Sequence, residues 1–302
     1  METLQPTSLQ LKPEDPIPGV RVQSAEDWVL IQLRLRQGET LTPLLPLGAD
    51  AGFVWIPKNG CSSLKRAWLQ LEGVAPDEIH SEIHASVLPS TQWLRPDQLS
   101  ALAQHRNMVA IWRDPIDRYV SACRSHLIEF INGCIHAKLQ ANSQGNSQAY
   151  EQALTFHQQL YAEQAVRSFD DNIDPVEAMN AVALQLPAWI QCHIDWSHHR
   201  IPQVSYLGGD PRPYATVLDM EQIDWLLQQW GQSAGIQLDT TPQHVSQDLE
   251  QADPWRRLQR DQLSTEAIAA LHRFYAADWT FLELAQQLLG VVAEAAPHGA
   301  QP

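Results

Sequence analysis

Two short apolar runs, each followed by a helical pattern, organise the first half of the chain. Ala51 to Pro57 (Ala-Gly-Phe-Val-Trp-Ile-Pro) lacks polar alternation and suits a strand buried on both faces. Across residues 61–72, Leu64, Trp68 and Leu71 recur at helical spacing, and Gly73 ends the element. Residues 98–104 read as a helix, and Met108 to Trp112 repeats the buried-strand pattern. Asp114-Pro115 then opens a second helix, with Asp at the cap and Pro at the first helical position. Its apolar stripe runs through Ile116, Val120, Cys123 and Leu127. Strand–loop–helix twice over predicts an α/β fold with a mostly parallel central sheet flanked by helices.

The flanks carry weaker patterns. Residues 26–36 fit a helix or a strand, and residues 37–50 read as loop. Residues 130–195, rich in Gln, Ala and His, read as a helical insertion with a flexible section over the polar tract 140–149. Val204 to Leu207 and Thr216 to Leu218 are short strand candidates, and Glu221 to Trp230 is a helix. Residues 264–290 read as one amphipathic helix through Ile268, Leu271 and Tyr275. A loose Pro-rich arm over 1–25, one domain over 26–290 and a frayed tail over 291–302 complete the expected organisation.

Composition narrows the chemistry. With 302 residues, 44% of them hydrophobic, the chain can bury a large core. A net charge of −15 argues against broad binding to nucleic acid or anionic membrane. Against that acidity the cations are concentrated. Of four lysines, Lys58 and Lys65 lie within 57–65, and three arginines fall within 113–124. Such clusters suit small anions; pairing with nearby acids is the plain alternative. Cys61, Cys123, Cys134 and Cys192 form no Cys-x-x-Cys pair and fit neither a zinc site nor a disulfide framework, so a reducing compartment is expected. The N-terminus has no signal pattern, and no apolar run reaches the ~18 residues of a membrane span. A cytoplasmic protein without a membrane span is the expectation.

The segment Pro57-Lys58-Asn59-Gly60-Cys61-Ser62-Ser63-Leu64-Lys65 has the makings of a phosphate cradle. Gly60 permits positive φ, the following helix offers free N–H groups, Ser62 and Ser63 add hydroxyls, and Lys58 adds a cation. The Gly-x-x-x-x-Gly-Lys-Ser/Thr loop of metal-dependent nucleotide hydrolases is not met, because the first glycine and the Gly-Lys-Ser triplet are missing. In Arg113-Asp114-Pro115-Ile116-Asp117-Arg118-Tyr119-Val120-Ser121, Arg113 stands at the carboxyl end of a strand, where open α/β sheets place ligands. Asp114 and Arg118 are spaced to pair along the helix, which leaves Arg113 and Ser121 for an anion.

Together the two segments resemble the signatures of sulfotransferases that use 3′-phosphoadenosine-5′-phosphosulfate (PAPS). Cys61, Lys65 and Arg66 give the first a likeness to the carbohydrate, Golgi-type branch and its soluble bacterial relatives. Fainter echoes are His199-Arg200-Ile201-Pro202-Gln203, Val217 to Glu221 and Tyr275-Ala276-Ala277-Asp278. The resemblance implies a P-loop-like three-layer sandwich moving a sulfuryl group to a hydroxyl of a carbohydrate or other small acceptor, with no resident metal. It implies that backbone groups of Lys58, Asn59, Gly60, Cys61, Ser62, Ser63 and Leu64 hold the 5′-phosphosulfate, helped by the side chains of Lys58, Ser62 and Ser63. By the same resemblance, Arg113 and Ser121 would hold the 3′-phosphate, and Lys58 would also serve catalysis. Asn59 and Cys61 stand where the family often has Thr or Gly.

Among twelve histidines, His84 is the first candidate for the general base, because Glu82-Ile83-His84-Ala85-Ser86 resembles a His-x-Ser segment of uronyl-type relatives. His80 and Glu82 are its neighbours and substitutes, with His193 and His199 behind them. His193, His198 and His199 lack further ligands at metal spacing and read as a solvated or capping cluster. Trp93, Trp189, Trp196 and Tyr206 are candidates for stacking on a sugar, although aromatics more often build cores. The competing function is a non-catalytic nucleotide-binding or interaction protein on the same fold.

Overall fold

The runs at 51–57 and 108–112 form neighbouring parallel strands in the middle of one sheet. The structure, a computed structural model, describes residues 20–79, 83–143, 174–192, 197–239 and 253–289. Its strands are β1 (Val20–Arg21), β2 (Thr42–Leu47), β3 (Ala51–Val54), β4 (Gln92–Leu94), β5 (Asn107–Trp112) and β6 (Thr216–Asp219). The helices of the first half are α1 (Ala25–Arg36), α2 (Cys61–Leu71), α3 (Ile83–Val87), α4 (Pro96–Leu102) and α5 (Pro115–Ser143). Then come α6 (Pro175–Leu184), α7 (Leu186–Cys192), α8 (Val204–Leu207), α9 (Ile223–Ala234), α10 (Thr265–Phe274) and α11 (Ala276–Leu289).

The architecture is α/β, and its six-stranded sheet runs β1-β4-β2-β3-β5-β6. It is mixed rather than mostly parallel: β3, β5 and β6 are parallel, while β2, β4 and β1 add an antiparallel wing. The expectation failed because β2 lies in the segment read as loop. Its Pro43 and Pro46 suggest a broken ladder. Yet Leu44 and Leu45 are fully buried, and both proline carbonyls accept hydrogen bonds, from the Trp55 N–H (3.2 Å) and the Trp68 indole (2.7 Å). Pairing on both edges and burial override the local signal.

Other boundaries also moved. Residues 26–36 are helical, started by a capping box between Ser24 and Asp27. Of the arm expected over 1–25, residues 1–19 lie outside the described residues, and Val20–Arg21 form β1, which pairs with β4. Val204–Leu207 is a helical turn, because the Asp278 carboxylate accepts from the Gln203 and Val204 N–H groups at 3.0 and 2.9 Å. The helix expected over 264–290 is two, broken at Tyr275, whose buried hydroxyl donates to the Arg200 carbonyl at 2.7 Å. Only residues 140–143 of the expected flexible tract are described, ending α5; the tail at 291–302 lies outside the described residues.

The parallel strands end on one edge, with Val54 level with Ala110 and Trp112 level with Asp219. The loops after β3 and β5 are therefore neighbours. Behind them Leu64, Ala67 and Trp68 of α2 and Ile116, Val120, Cys123 and Leu127 of α5 are buried in the core. At about 1.5–3 kcal/mol per fully buried large aliphatic side chain, this packing fixes both helix N-termini against the sheet edge. No helix among the described residues is long and apolar enough to cross a membrane.

Candidate active site

The loop after β3 owes its shape to two residues with left-handed backbone, Lys58 (φ 71°) and Gly60 (φ 68°). Lys58 is the one non-glycine with positive φ among the described residues. Such a conformation costs on the order of 1–3 kcal/mol and persists only where the surroundings enforce it. Here the enforcement comes from polar side chains. Arg118 donates to the Pro57 carbonyl (2.9 Å), Arg113 to the Lys58 carbonyl (2.7 Å), and Asn59 Nδ2 to the Ile111 carbonyl (2.8 Å). At Gly60 a β-carbon would stand 2.1 Å from Ile223 Cδ1 of α9, so a side chain there would have to displace the end of Ile223 as well as adopt positive φ.

With these carbonyls drawn inward, the N–H groups of the next residues face outward. Gly60 caps α2 without a side-chain hydrogen bond, and no acid occupies the first turn. The Gly60, Cys61, Ser62 and Ser63 N–H groups have no acceptor among the described residues. The Asn59 and Leu64 N–H groups, expected to join them, are engaged by the Ile56 and Gly60 carbonyls at 3.1 and 3.2 Å. An uncapped helix start of this kind attracts an anion. Lys58 adds a half-buried ammonium with no hydrogen-bond or ion-pair partner among the described residues. Burial pulls its pKa down to about 8, helped by Arg200, Arg113 and Arg256.

The loop after β5 builds the second cationic position. Asp114 caps α5 by accepting from the Ile116 and Asp117 N–H groups at 2.8 and 3.0 Å. The expected Asp114–Arg118 pair does not form. Arg118 is fully buried and bonds the Pro57 and Ile201 carbonyls, while Asp114 pairs with Arg260 at 3.1 Å. Arg113 spends only Nη1 on Lys58; its other guanidinium nitrogens and the Ser121 hydroxyl bond nothing among the described residues. Burial pulls Arg113 down to about 10.

Gln203 ties the two loops together. Its Oε1 accepts from Asn59 Nδ2 (2.5 Å) and the Arg113 N–H (3.3 Å), and its Nε2 donates to the Arg113 carbonyl (2.8 Å). Asp278 anchors Gln203 in turn through the backbone, and burial raises its carboxyl to about 6. The sequence marked Gln203 and Asp278 only as faint echoes; their structural work comes from contacts invisible to local patterning. Their burial, which obliges each to find hydrogen-bond partners, is seen only in the structure.

His84 stands at the mouth of the first loop. Its Nε2 lies 3.3 Å from Ser62 Oγ and its Nδ1 2.9 Å from Lys65 Nζ. A second histidine group, His126, His198 and His199, is partly buried, where a solvated or capping cluster was expected for His198 and His199. His199 stacks on His126 at 4.7 Å and touches His198 at 3.9 Å. His126 sits where α5 kinks (φ −147°) and went unmarked in the sequence. Burial, then Lys58 and Arg200, pull His126 down to about 2, and burial drives His199 well below its ordinary value. Trp93, Trp189 and Tyr206 are core residues, not exposed platforms. His80, Glu82, His193 and Trp196 lie outside the described residues.

The arrangement offers two neighbouring anion positions, one at the start of α2 and one at the start of α5, with an imidazole beside the first. No curated protein and no solved structure matches the chain. A sequence model of the Sulfotransferase family matches residues 52–284, from β3 through α11 and thus every group just described. The chain belongs to the sulfotransferase family.

Proposed function

We infer that the protein moves a sulfuryl group from PAPS to a hydroxyl of a carbohydrate or other small acceptor. The supporting observation is the joining of the two loops by Arg113 and Gln203, which sets two cationic positions side by side. A ligand with phosphates at two ends would engage both positions. The N–H groups of Gly60 to Ser63, the Ser62 and Ser63 hydroxyls and Lys58 hold the 5′-phosphosulfate. The spare nitrogens of Arg113 and the Ser121 hydroxyl hold the 3′-phosphate.

The chemistry follows from these positions. The acceptor oxygen attacks sulfur opposite the bridging oxygen, the bridging S–O bond breaks, and its electron pair passes to the nucleotide phosphate. Lys58 and the start of α2 stabilise that charge without having to reorganise. His84 takes the hydroxyl proton. It is favoured over His126 because a base held at about 2 is too weak to assist a neutral hydroxyl. The carbohydrate acceptor rests on the Cys61, Lys65 and Arg66 resemblance.

Calorimetric titration with 3′-phosphoadenosine 5′-phosphate, then labelled-sulfate transfer over a panel of hydroxyl acceptors, tests the proposal. Lys58→Ala and Arg113→Ala are each expected to abolish transfer while the far-UV spectrum survives; full activity in either variant refutes the assignment. Nucleotide binding without transfer to any acceptor favours a nucleotide-binding protein instead.

A further inference from the structure

Lys65 lies one turn into α2 and does not reach solvent: it is 1% exposed. A buried lysine ordinarily meets a carboxylate. Here Nζ sits 3.3 Å over the Trp55 ring and 2.9 Å from His84 Nδ1. The titratable groups facing it among the described residues are Cys61, one turn back on α2, and His84 on α3. The adjacent Arg66 is engaged elsewhere, by Asp239 at 2.8 Å.

That contact decides which imidazole nitrogen is available. While Lys65 is an ammonium it donates to Nδ1, so the ring proton of neutral His84 is on Nε2, toward Ser62. In that tautomer Nε2 offers no lone pair. Once Lys65 loses a proton, Nδ1–H donates to the amine, and the Nε2 lone pair faces the loop.

We propose that Lys65 is the positioning residue of the sulfuryl-transfer site, setting the tautomer of His84 and receiving the Nδ1 proton when Nε2 takes the proton of the acceptor hydroxyl. This rests on the sulfuryl-transfer function proposed above. The step balances: the acceptor O–S bond forms, the bridging S–O bond breaks with its electrons passing to the phosphate, the hydroxyl proton moves to Nε2, and the Nδ1 proton moves to Nζ. The pair begins as neutral amine with Nδ1–H imidazole and ends as ammonium with Nε2–H imidazole. Burial pulls the Lys65 ammonium down to about 8, and Cys61 acts in the opposite sense. The pair therefore delivers, through an imidazole, a base stronger than an isolated histidine, and it titrates as a unit.

Two measurements test it. In the full-length protein without substrate, nitrogen-15 shifts of the His84 ring are expected to report Nε2–H near pH 7 and Nδ1–H above about pH 9. A tautomer unchanged across that range overturns the proposal. In the transfer assay, kcat is expected to rise through about pH 8, the Lys65 value. Lys65→Met is expected to lower the plateau about 10-fold or more and move the limb toward about 6.5, the ordinary imidazole value, with affinity for 3′-phosphoadenosine 5′-phosphate within about twofold. A variant limb that stays where the wild type has it overturns the proposal. A tautomer switch without transfer to any hydroxyl refutes the sulfuryl-transfer function and leaves the pair standing; transfer with an invariant tautomer does the reverse.

Discussion

Replacing Gly60 by alanine separates two constraints that meet at one atom. The first is backbone: φ is 68°, and a left-handed L-residue costs about 1–2 kcal/mol. The second is space. The new methyl would lie 2.1 Å from Ile223 Cδ1, while the next atom of that side chain, Cγ1, is at 3.6 Å. Overpacking of this kind costs about 1–3 kcal/mol. Gly60→Ala should therefore lose roughly 2–5 kcal/mol by summing the two. Ile223→Val deletes the clashing atom and alone should lose about 0.5–1.5 kcal/mol. In the double variant the spatial cost vanishes and the backbone cost stays, so the combined loss should fall short of the sum by about 1–3 kcal/mol. Urea unfolding followed by tryptophan fluorescence gives the four free energies. Additivity within about 0.5 kcal/mol would show that Ile223 does not confine the loop.

Gln203→Leu keeps the volume but orphans the Arg113 N–H and the Arg113 carbonyl, while Asn59 Nδ2 keeps its bond to the Ile111 carbonyl; at about 1–3 kcal/mol per orphaned group, stability should drop by at least ~2 kcal/mol in the same unfolding assay. His126, held at about 2 in the fold, binds fewer protons folded than unfolded below about pH 6.5. Its contribution is complete above that pH and is lost as pH falls, by up to about 1.4 kcal/mol per unit, so His126→Leu should flatten the decline in unfolding free energy between about pH 6.5 and 4. A phosphate beside Lys58 raises a value that burial has drawn to about 8, so nucleotide binding near pH 8.5 should take up a substantial fraction of a proton. The dependence of binding enthalpy on buffer ionisation measures this uptake, and Lys58→Ala should remove it.

What the sequence disclosed was local. The runs at 51–57 and 108–112, Gly60, and the Asp114-Pro115 cap each carry their signal within a few residues, and each formed the expected element. Misread elements depend on distant partners. β2 is a strand because β3 and β4 take both its edges, despite two prolines. Val204–Leu207 coils because Asp278, 74 residues away, accepts its first N–H. Arg118 reads as half of a helix pair and instead braces a loop 61 residues upstream. Helical spacing names the face a side chain occupies, not the backbone that will arrive opposite it. For the same reason Lys65 reads as an ordinary helix residue until α3 brings His84 beside it.

The hydrogen-bonded loop around Lys58 bears on how the chain folds. Its bonds join residues separated by 55, 61, 90 and 144 positions. Contacts so distant along the chain wait for slow loop closure. Because the loops that carry Asn59 and Arg113 follow directly on β3 and β5, the pairing of those strands brings them together, and it is expected to precede the locking of Asn59, Arg113 and Gln203. A bound nucleotide would then meet a feature absent from the rate-limiting ensemble. It would act as a brake on unfolding and leave the folding rate nearly unchanged. The donor cradle is in this sense a latch closed last, and its occupant lengthens the life of the native state more than it hastens its birth.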